Sequence, residues 1–303
     1  MNGTTAIVLE GGGQRGIYTA GVLDAFMAAS FNPFDTGVGV SAGAQNLLAY
    51  ILQQPGYARR AIMELTTRPE FLVMHRCLMS GNILDLDGYF ETSMKVPEYQ
   101  LPYHRVATVA GQTEFAVVAT DSNSLDAVYL KPGPATVMNY IKASSAVPIL
   151  YRPGVIVKGQ TLIDGGIADP LPVRYAYEQG ARRIVVIRTA RLLSAGQVRS
   201  PRRGLLERTW HLPITPPRVK RMFRRRDKAM RESLDFLERP PDDLQLHIVA
   251  PRFALKSREF CSRTEHMMED YEQGTEDGVR SIRALESWST EKSEVTQQPE
   301  ISA

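Results

Sequence analysis

Between an apolar, β-branched run and a helix-like stretch, the chain reads Gly39-Val40-Ser41-Ala42-Gly43. A G-x-S-x-G pentapeptide in that setting describes a tight strand-to-helix turn that lifts a serine hydroxyl above the edge of a sheet. Such a turn crowds its own backbone, so a side chain at Gly39 or Gly43 would strike the neighbouring strand or helix. The pattern ends a strand at Val40 and starts a helix at about Ala42. The unpaired N–H groups of that helix then face Ser41 and favour negative charge near its oxygen. Taken alone, such a pentapeptide is more often a plain turn than a catalytic site, and its reading depends on what surrounds it.

The surroundings alternate between strand and helix patterns. Residues 4–10 read as a buried strand, followed by a glycine-rich loop and a helix over 17–29 that Asn32-Pro33 stops. The strand at 37–40 leads into the elbow helix, which Pro55-Gly56 closes. Residues 57–104 are helical and loopy, rich in Met and aromatics, with a break at Gly81-Asn82. Strands are predicted at 106–109, 115–120 and 127–130, and a helix at 135–146. Lys158-Gly159-Gln160 turns a hairpin between 155–157 and 161–163. Asp169-Pro170-Leu171-Pro172 opens a helix that Gly180 can cap. Further strands fall at 183–188 and 246–249, and helices at 218–237 and 258–288. This alternation predicts an α/β fold, a largely parallel sheet covered by helices on both faces. With 43% apolar residues there is material for one substantial core, and we expect one domain over 1–288 with a polar, disordered tail at 289–303.

Charge is unevenly spread. Residues 199–231 hold twelve Lys/Arg against two acids, a local +10 in a chain of net charge +3, so the remainder carries −7. Within the basic segment 196–240, Val219, Met222, Phe223, Met230, Leu234 and Leu237 fall near one helical face. Two readings compete: the helix lies on an anionic membrane with its apolar face down, or that face packs on the protein and leaves its charges in water. No stacking aromatics accompany the arginines, so nucleic acid is not expected as a partner. No apolar run is long enough to span a bilayer, and the start MNGTTAIVLEGGG lacks a basic and an apolar leader region. Two cysteines, Cys77 and Cys261, make no disulfide framework or zinc pattern. A cytoplasmic location, with peripheral contact to the inner membrane face, is the expectation.

Gly11-Gly12-Gly13-Gln14-Arg15-Gly16 follows the first strand and matches G-x-G-x-x-G. One use is a dinucleotide site with Asp35 as the ribose acid, which would make the chain a nucleotide-binding oxidoreductase. Asp35, however, precedes its strand instead of ending it. The other use is an oxyanion cradle, since backbone N–H groups at a strand-to-helix turn form a positive, concave pocket. Loop and elbow both follow parallel strands and so share one edge of the sheet. A catalytic serine needs a base. None of His75, His104, His211, His247 and His266 stands in a catalytic context. Asp164 in Ile163-Asp164-Gly165-Gly166 ends a strand, and its glycines allow close backbone approach; Asp169 is the spare candidate.

In order along the chain, GGGQRG, GVSAG, the block Ala143-Ser144-Ser145-Ala146-Val147-Pro148 and DGG resemble the patatin-like phospholipase family, in particular its bacterial single-domain members. The likeness covers about residues 4–190. It implies a three-layer α/β/α fold and a Ser–Asp dyad without histidine: Ser41 as nucleophile, Asp164 as base, and an oxyanion hole from the Gly11–Gly16 loop, with Gly12, Gly13 and Gln14 donating and Arg15 nearby. It implies lipid esters as substrate and requires no metal or organic cofactor. The Met- and aromatic-rich stretch 71–104 is a candidate acyl channel. Beyond residue 195 the resemblance carries nothing over.

Overall fold

In β1 (Thr4–Leu9), Ala6 and Val8 belong to one buried cluster and Ile7 and Leu9 to another, so the strand buries both faces. A strand apolar on both sides must sit inside a sandwich of helices. The computed structural model describes residues 3–79, 81–109, 113–193, 197–198, 216–286 and 288. After β1 come α1 (Gly16–Ala28), β2 (Thr36–Val40), α2 (Ala42–Ile51), α3 (Tyr57–Arg60), α4 (Leu86–Lys95) and α5 (Val106–Val109). Then follow β3 (Glu114–Asp121), β4 (Ala127–Leu130), α6 (Val137–Ser144), β5 (Val155–Val157), β6 (Gln160–Asp164), α7 (Val173–Glu178) and β7 (Ala181–Ile187). The short pair β8 (Leu192–Leu193) and β9 (Gln197–Val198) precedes α8 (Pro217–Glu238), β10 (Gln245–Val249) and α9 (Thr264–Ala284).

The main sheet runs β10-β7-β1-β2-β3-β6-β5, with β4 also on β3. Pairings from β10 through β3 are parallel; β4, β5 and β6 join antiparallel. One pairing detail builds the site. Val118 of β3 faces Val40 on β2 and Tyr129 on β4, whereas its neighbour Ala119 faces Asp164 on β6 and Val128 on β4. A strand has only two edges. Therefore β2 and β6 follow one another along the same edge of β3, and β6 takes over where β2 turns away into the elbow.

Helices α1, α2 and α6 cover the face of Ile7 and Leu9; α7 and the C-terminal part of α8 cover the face of Ala6 and Val8. Helix α9 lies on α1 at a separation only glycine permits. A Cβ on Gly21 would stand 2.1 Å from the Tyr271 carbonyl oxygen, and one on Gly274 would stand 2.1 Å from that of Tyr18.

Two expectations change, and the structure decides between the two readings of the basic helix. Residues 106–109 form a helical turn and not a strand. The run is β-branched, but it continues the turn at Tyr103–Arg105, and of Val106, Ala107 and Thr108 only Val106 is buried. The helix expected over 258–288 begins only at Thr264, because the residues before it are tied elsewhere as an irregular strap. The apolar face of α8 is turned inward: Met222 packs with Leu125, Ile163 and Ile167, and Phe236 and Leu237 enter the sheet core. A bilayer cannot receive that face. The expected tail at 289–303, and residues 199–215 of the basic segment with His211, lie outside the described residues.

Candidate active site

Ser41 leaves β2 with φ +53° and ψ −123°. That conformation costs a non-glycine residue about 1–3 kcal/mol and persists only where the surroundings impose it. Here they do. A Cβ on Gly39 would lie 2.6 Å from Ala44 Cα, and one on Gly43 2.7 Å from the Leu9 carbonyl oxygen. The elbow is thus wedged between β1 and its own helix, and Ser41 stands at the N-terminus of α2.

Asp164 is the last residue of β6, one position beyond the Val40–Val118 pairing along β3. Its main chain is pinned: Thr120 Oγ1 donates to the Asp164 carbonyl at 2.8 Å and accepts from Ala168 N at 3.2 Å. Gly165 passes so close to β3 that a Cβ would lie 2.1 Å from the Val118 carbonyl oxygen, and Gly166 N donates to Asp164 Oδ1 at 2.8 Å. The end of α6 joins the two halves. Ser41 N donates to the buried Ser144 Oγ at 2.7 Å, and Asp164 N donates to the Ala146 carbonyl at 3.0 Å. One short segment therefore holds both candidate residues by their amides.

The Asp164 residue keeps a partly exposed surface, but its carboxyl is enclosed. Burial pushes that carboxyl up from an ordinary 3.8 to about 6; the Gly166 amide and Arg226 guanidinium draw it back, and the Glu259 carboxylate adds to the rise. The Ser41 hydroxyl also acts on it as a hydrogen-bonding neighbour and lowers it, although the pair do not meet at an ordinary hydrogen-bond geometry. Such contacts commonly lengthen without substrate. The spare candidate, Asp169, is engaged elsewhere, accepting from Tyr129 OH at 2.7 Å. No histidine is among the described residues lining the cleft at Ser41. His247 lies half-buried in β10, where burial lowers its pKa.

The glycine loop follows β1 at the same sheet edge, and three of its amides are already used. Gln14 N donates to the Glu259 carbonyl at 3.0 Å, Arg15 N to Gly12 O at 3.1 Å, and Gly16 N to the carbonyls of Gly13 and Gln14. This corrects the expectation for Gln14: its amide is not available to a ligand. The Gly12 and Gly13 amides donate to no described acceptor. Gly11 O accepts from Thr189 Oγ1 at 3.0 Å. Arg15 reaches back to Gly12 O through Nε at 3.4 Å. Asp35 sits at the other edge, closing the start of β1 through Thr5 N at 2.8 Å, so loop and acid cannot share a dinucleotide.

The cleft over Ser41 is narrow, with a cavity volume of about 70 Å³, below the roughly 300–1,000 Å³ usual for small-molecule sites. Its lining is mainly apolar, with Phe71, Leu84, Leu86, Tyr89 and Phe90 from the Met- and aromatic-rich stretch and Phe260 from the far end of the chain.

A family described as patatin-like phospholipase matches residues 7–177. The chain belongs to that family. Residues 216–290 match a domain of unknown function (DUF6363). Among individual proteins, this patatin-like chain is 37% identical over 294 residues to the uncharacterized protein YjjU of Escherichia coli (strain K12), covering 97% of this chain and 81% of YjjU. Two solved structures also resemble it. VipD from Legionella pneumophila does so at 14% identity over 93% of this chain and 67% of its own, with a TM-score of 0.43. The type III effector protein ExoU does so at 10% identity over 94% and 53%, with a TM-score of 0.40.

Sequence reading missed several residues that shape this patatin-like site. Glu10 and Arg188, both buried, meet at 3.4 Å where β1 and β7 end, and Glu10 also receives Thr189 N at 2.9 Å. A charge closing each of two apolar runs was the available signal. Ser144 lay inside a quoted block without an assigned role. Glu259 and Phe260 had no local signal.

Proposed function

We propose that this patatin-like protein is a serine acyl hydrolase of lipid esters, with Ser41 as nucleophile and Asp164 as general base. The observation that carries the reading is the strained Ser41 elbow beside an enclosed carboxyl whose pKa is raised to about 6, both hung from the end of α6. At neutral pH such a carboxylate is ionised yet a stronger base than an ordinary aspartate. Ser41 Oγ attacks the ester carbonyl carbon while its proton passes to Asp164. The oxyanion takes the amides of Gly12 and Gly13, each such donor being worth about 3–4 kcal/mol of barrier. The C–O bond to the alcohol breaks, and the alcohol leaves with the proton from Asp164. Water then attacks the acyl carbon, its proton passing to the carboxylate, and the acid leaves as Ser41 recovers its hydrogen. The apolar cleft supports a fatty acyl chain as the group transferred.

Between residues 217 and 228 the chain carries seven Lys/Arg against one acid; with the apolar face of α8 occupied, Arg226 facing Asp164 and Arg218 and Arg221 donating to the Ser122 and Asn123 carbonyls, this reading offers a membrane the charges of Lys220, Arg224, Arg225 and Lys228. Contact with anionic lipid is therefore electrostatic in this reading. Co-sedimentation with anionic vesicles at low salt, lost at high salt and absent with zwitterionic vesicles, tests it. The hydrolase reading is tested with a fluorophosphonate probe and p-nitrophenyl acyl esters. Wild type is labelled and turns over; Ser41→Ala is not labelled; Ser41→Ala and Asp164→Asn each lose about a thousandfold or more in kcat. Near-normal turnover in either variant refutes the dyad.

A further inference from the structure

The segment 257–262 belongs to the part of the chain matched by the domain of unknown function, yet it lies against the glycine loop. Glu259 O accepts the Gln14 amide at 3.0 Å, and Ser262 N donates to Gln14 Oε1 at 2.7 Å. The Gln14 side chain, buried, passes its own NH₂ on to Thr66 O at 3.2 Å and Thr66 Oγ1 at 3.0 Å. Gly13, at φ +56°, leaves no room for anything larger: a Cβ would stand 2.3 Å from Glu259 O and 3.2 Å from Glu259 Cγ. The segment is anchored from behind by the buried Asp270 of α9, which accepts Lys256 N at 3.0 Å, Ser257 N at 2.7 Å and the Ser257 hydroxyl. From this strap, Phe260 and Glu259 line the cleft over Ser41. The Glu259 carboxylate makes no hydrogen bond or ion pair with a described residue.

We propose that residues 257–262 are a working part of the acyl-hydrolase site: the strap fixes the glycine loop through the Gln14 amide and leaves those of Gly12 and Gly13 to donate, and Phe260 is the wall against which the acyl chain lies. This rests on the hydrolase reading above. It gives the C-terminal part of the chain a role in catalysis, that of positioning the anion cradle and setting acyl specificity. The physical argument is one of substitution. Without the strap, the Gln14 amide would turn to water, the loop would lose the contact that holds its left-handed glycine, and the apolar cleft would open on one side. The charged and titratable groups facing Asp164 come from three elements: Arg226 on α8, Glu259 on the strap and the Ser41 hydroxyl on the elbow, with Gly166 N beside it. Of these, Glu259 alone raises the carboxyl, so removing its charge moves the acid limb of activity down.

The test uses the full chain with p-nitrophenyl butyrate and p-nitrophenyl decanoate. Phe260→Ala, at a partly buried position, lowers the ratio of decanoate to butyrate kcat/KM about tenfold, as expected for the loss of roughly 50 Å² of apolar contact. Glu259→Gln keeps its main-chain carbonyl and its shape and shifts the acid limb to lower pH. A purely structural strap would alter stability without a chain-length or pH signature. An unaltered chain-length profile in Phe260→Ala, or an unmoved acid limb in Glu259→Gln, overturns the inference while leaving the hydrolase reading intact. A wild-type protein that neither turns over these esters nor takes the fluorophosphonate overturns the hydrolase reading itself, and the strap's role with it.

Discussion

Asp164 carries opposite consequences for catalysis and for stability. Its carboxyl titrates higher in the folded chain than in an unfolded one, because burial disfavours the charge. The folded state therefore holds the proton more tightly. The associated stability is present below the unfolded pKa of about 4 and is lost as pH rises through about 6. The cost at neutral pH is at most about 3 kcal/mol for a shift of this size. Asp164→Asn removes the titration. We expect that variant to be inactive yet to melt higher than wild type at pH 8, the gap narrowing toward pH 4, as thermal unfolding across that range will show. The same carboxyl sets the pH profile: kcat/KM on an acyl ester rises with an apparent pKa of about 6 and then levels. A profile flat from pH 5 to 8 speaks against Asp164 as base. Ser41 pays a similar toll in backbone strain, so Ser41→Gly is expected to gain about 1 kcal/mol of stability as it loses activity, read as a higher Tm.

Helices α1 and α9 show how one element depends on another distant in sequence. Gly21 and Gly274 let the two backbones approach until side-chain atoms have no place between them, and Tyr18 OH donates to the buried Asp277 at 3.0 Å across the same contact. Arg252 holds Asp277 from outside through Nε at 2.6 Å. Gly21→Ala forces a methyl to 2.1 Å from the Tyr271 carbonyl oxygen, and we expect a loss of about 3 kcal/mol in chemical denaturation. The displacement reaches the site, because α1 begins where the glycine loop ends and α9 carries the Asp270 anchor of the strap. For α8 the lesson is that periodicity finds a helix and its apolar face but not what covers the face. Its arginines drew attention to membranes; the covering surface is the chain's own core.

At the scale of the molecule, the patatin-like match and the C-terminal match share one sheet. β10 pairs along β7 from Gln245–Arg183 to Val249–Ile187, and Arg188 N continues to the Val249 carbonyl at 2.9 Å. Cutting the chain after residue 190 exposes that edge and the whole outer side of α1. We expect the fragment to aggregate far more than the full chain, as fractionation and circular dichroism will report. A folded, active fragment refutes this view of the C-terminal part.

Local chemistry was enough to expose the elbow, the glycine loop, the hairpin at Lys158-Gly159 and the run of buried strands. Each rests on steric rules that act within a few residues: a positive φ, a close glycine, a two-residue period of burial. The short run at 106–109 and the start of α9 escaped because propensity there was outvoted by contacts with distant groups. The approach of the Ser41 elbow to the end of β6 at Asp164 lies beyond any local rule. It comes from β2 and β6 succeeding one another on a single edge of β3, a consequence of how the strands of the main sheet found their partners, and from a serine and a carbonyl at the end of α6 that bind both amides. The strap is the extreme case. Gln14 and Glu259 stand 245 residues apart, and nothing near either announces the other. Hydrogen bonds and packing specify such pairs only once the backbone has been folded to bring them within reach.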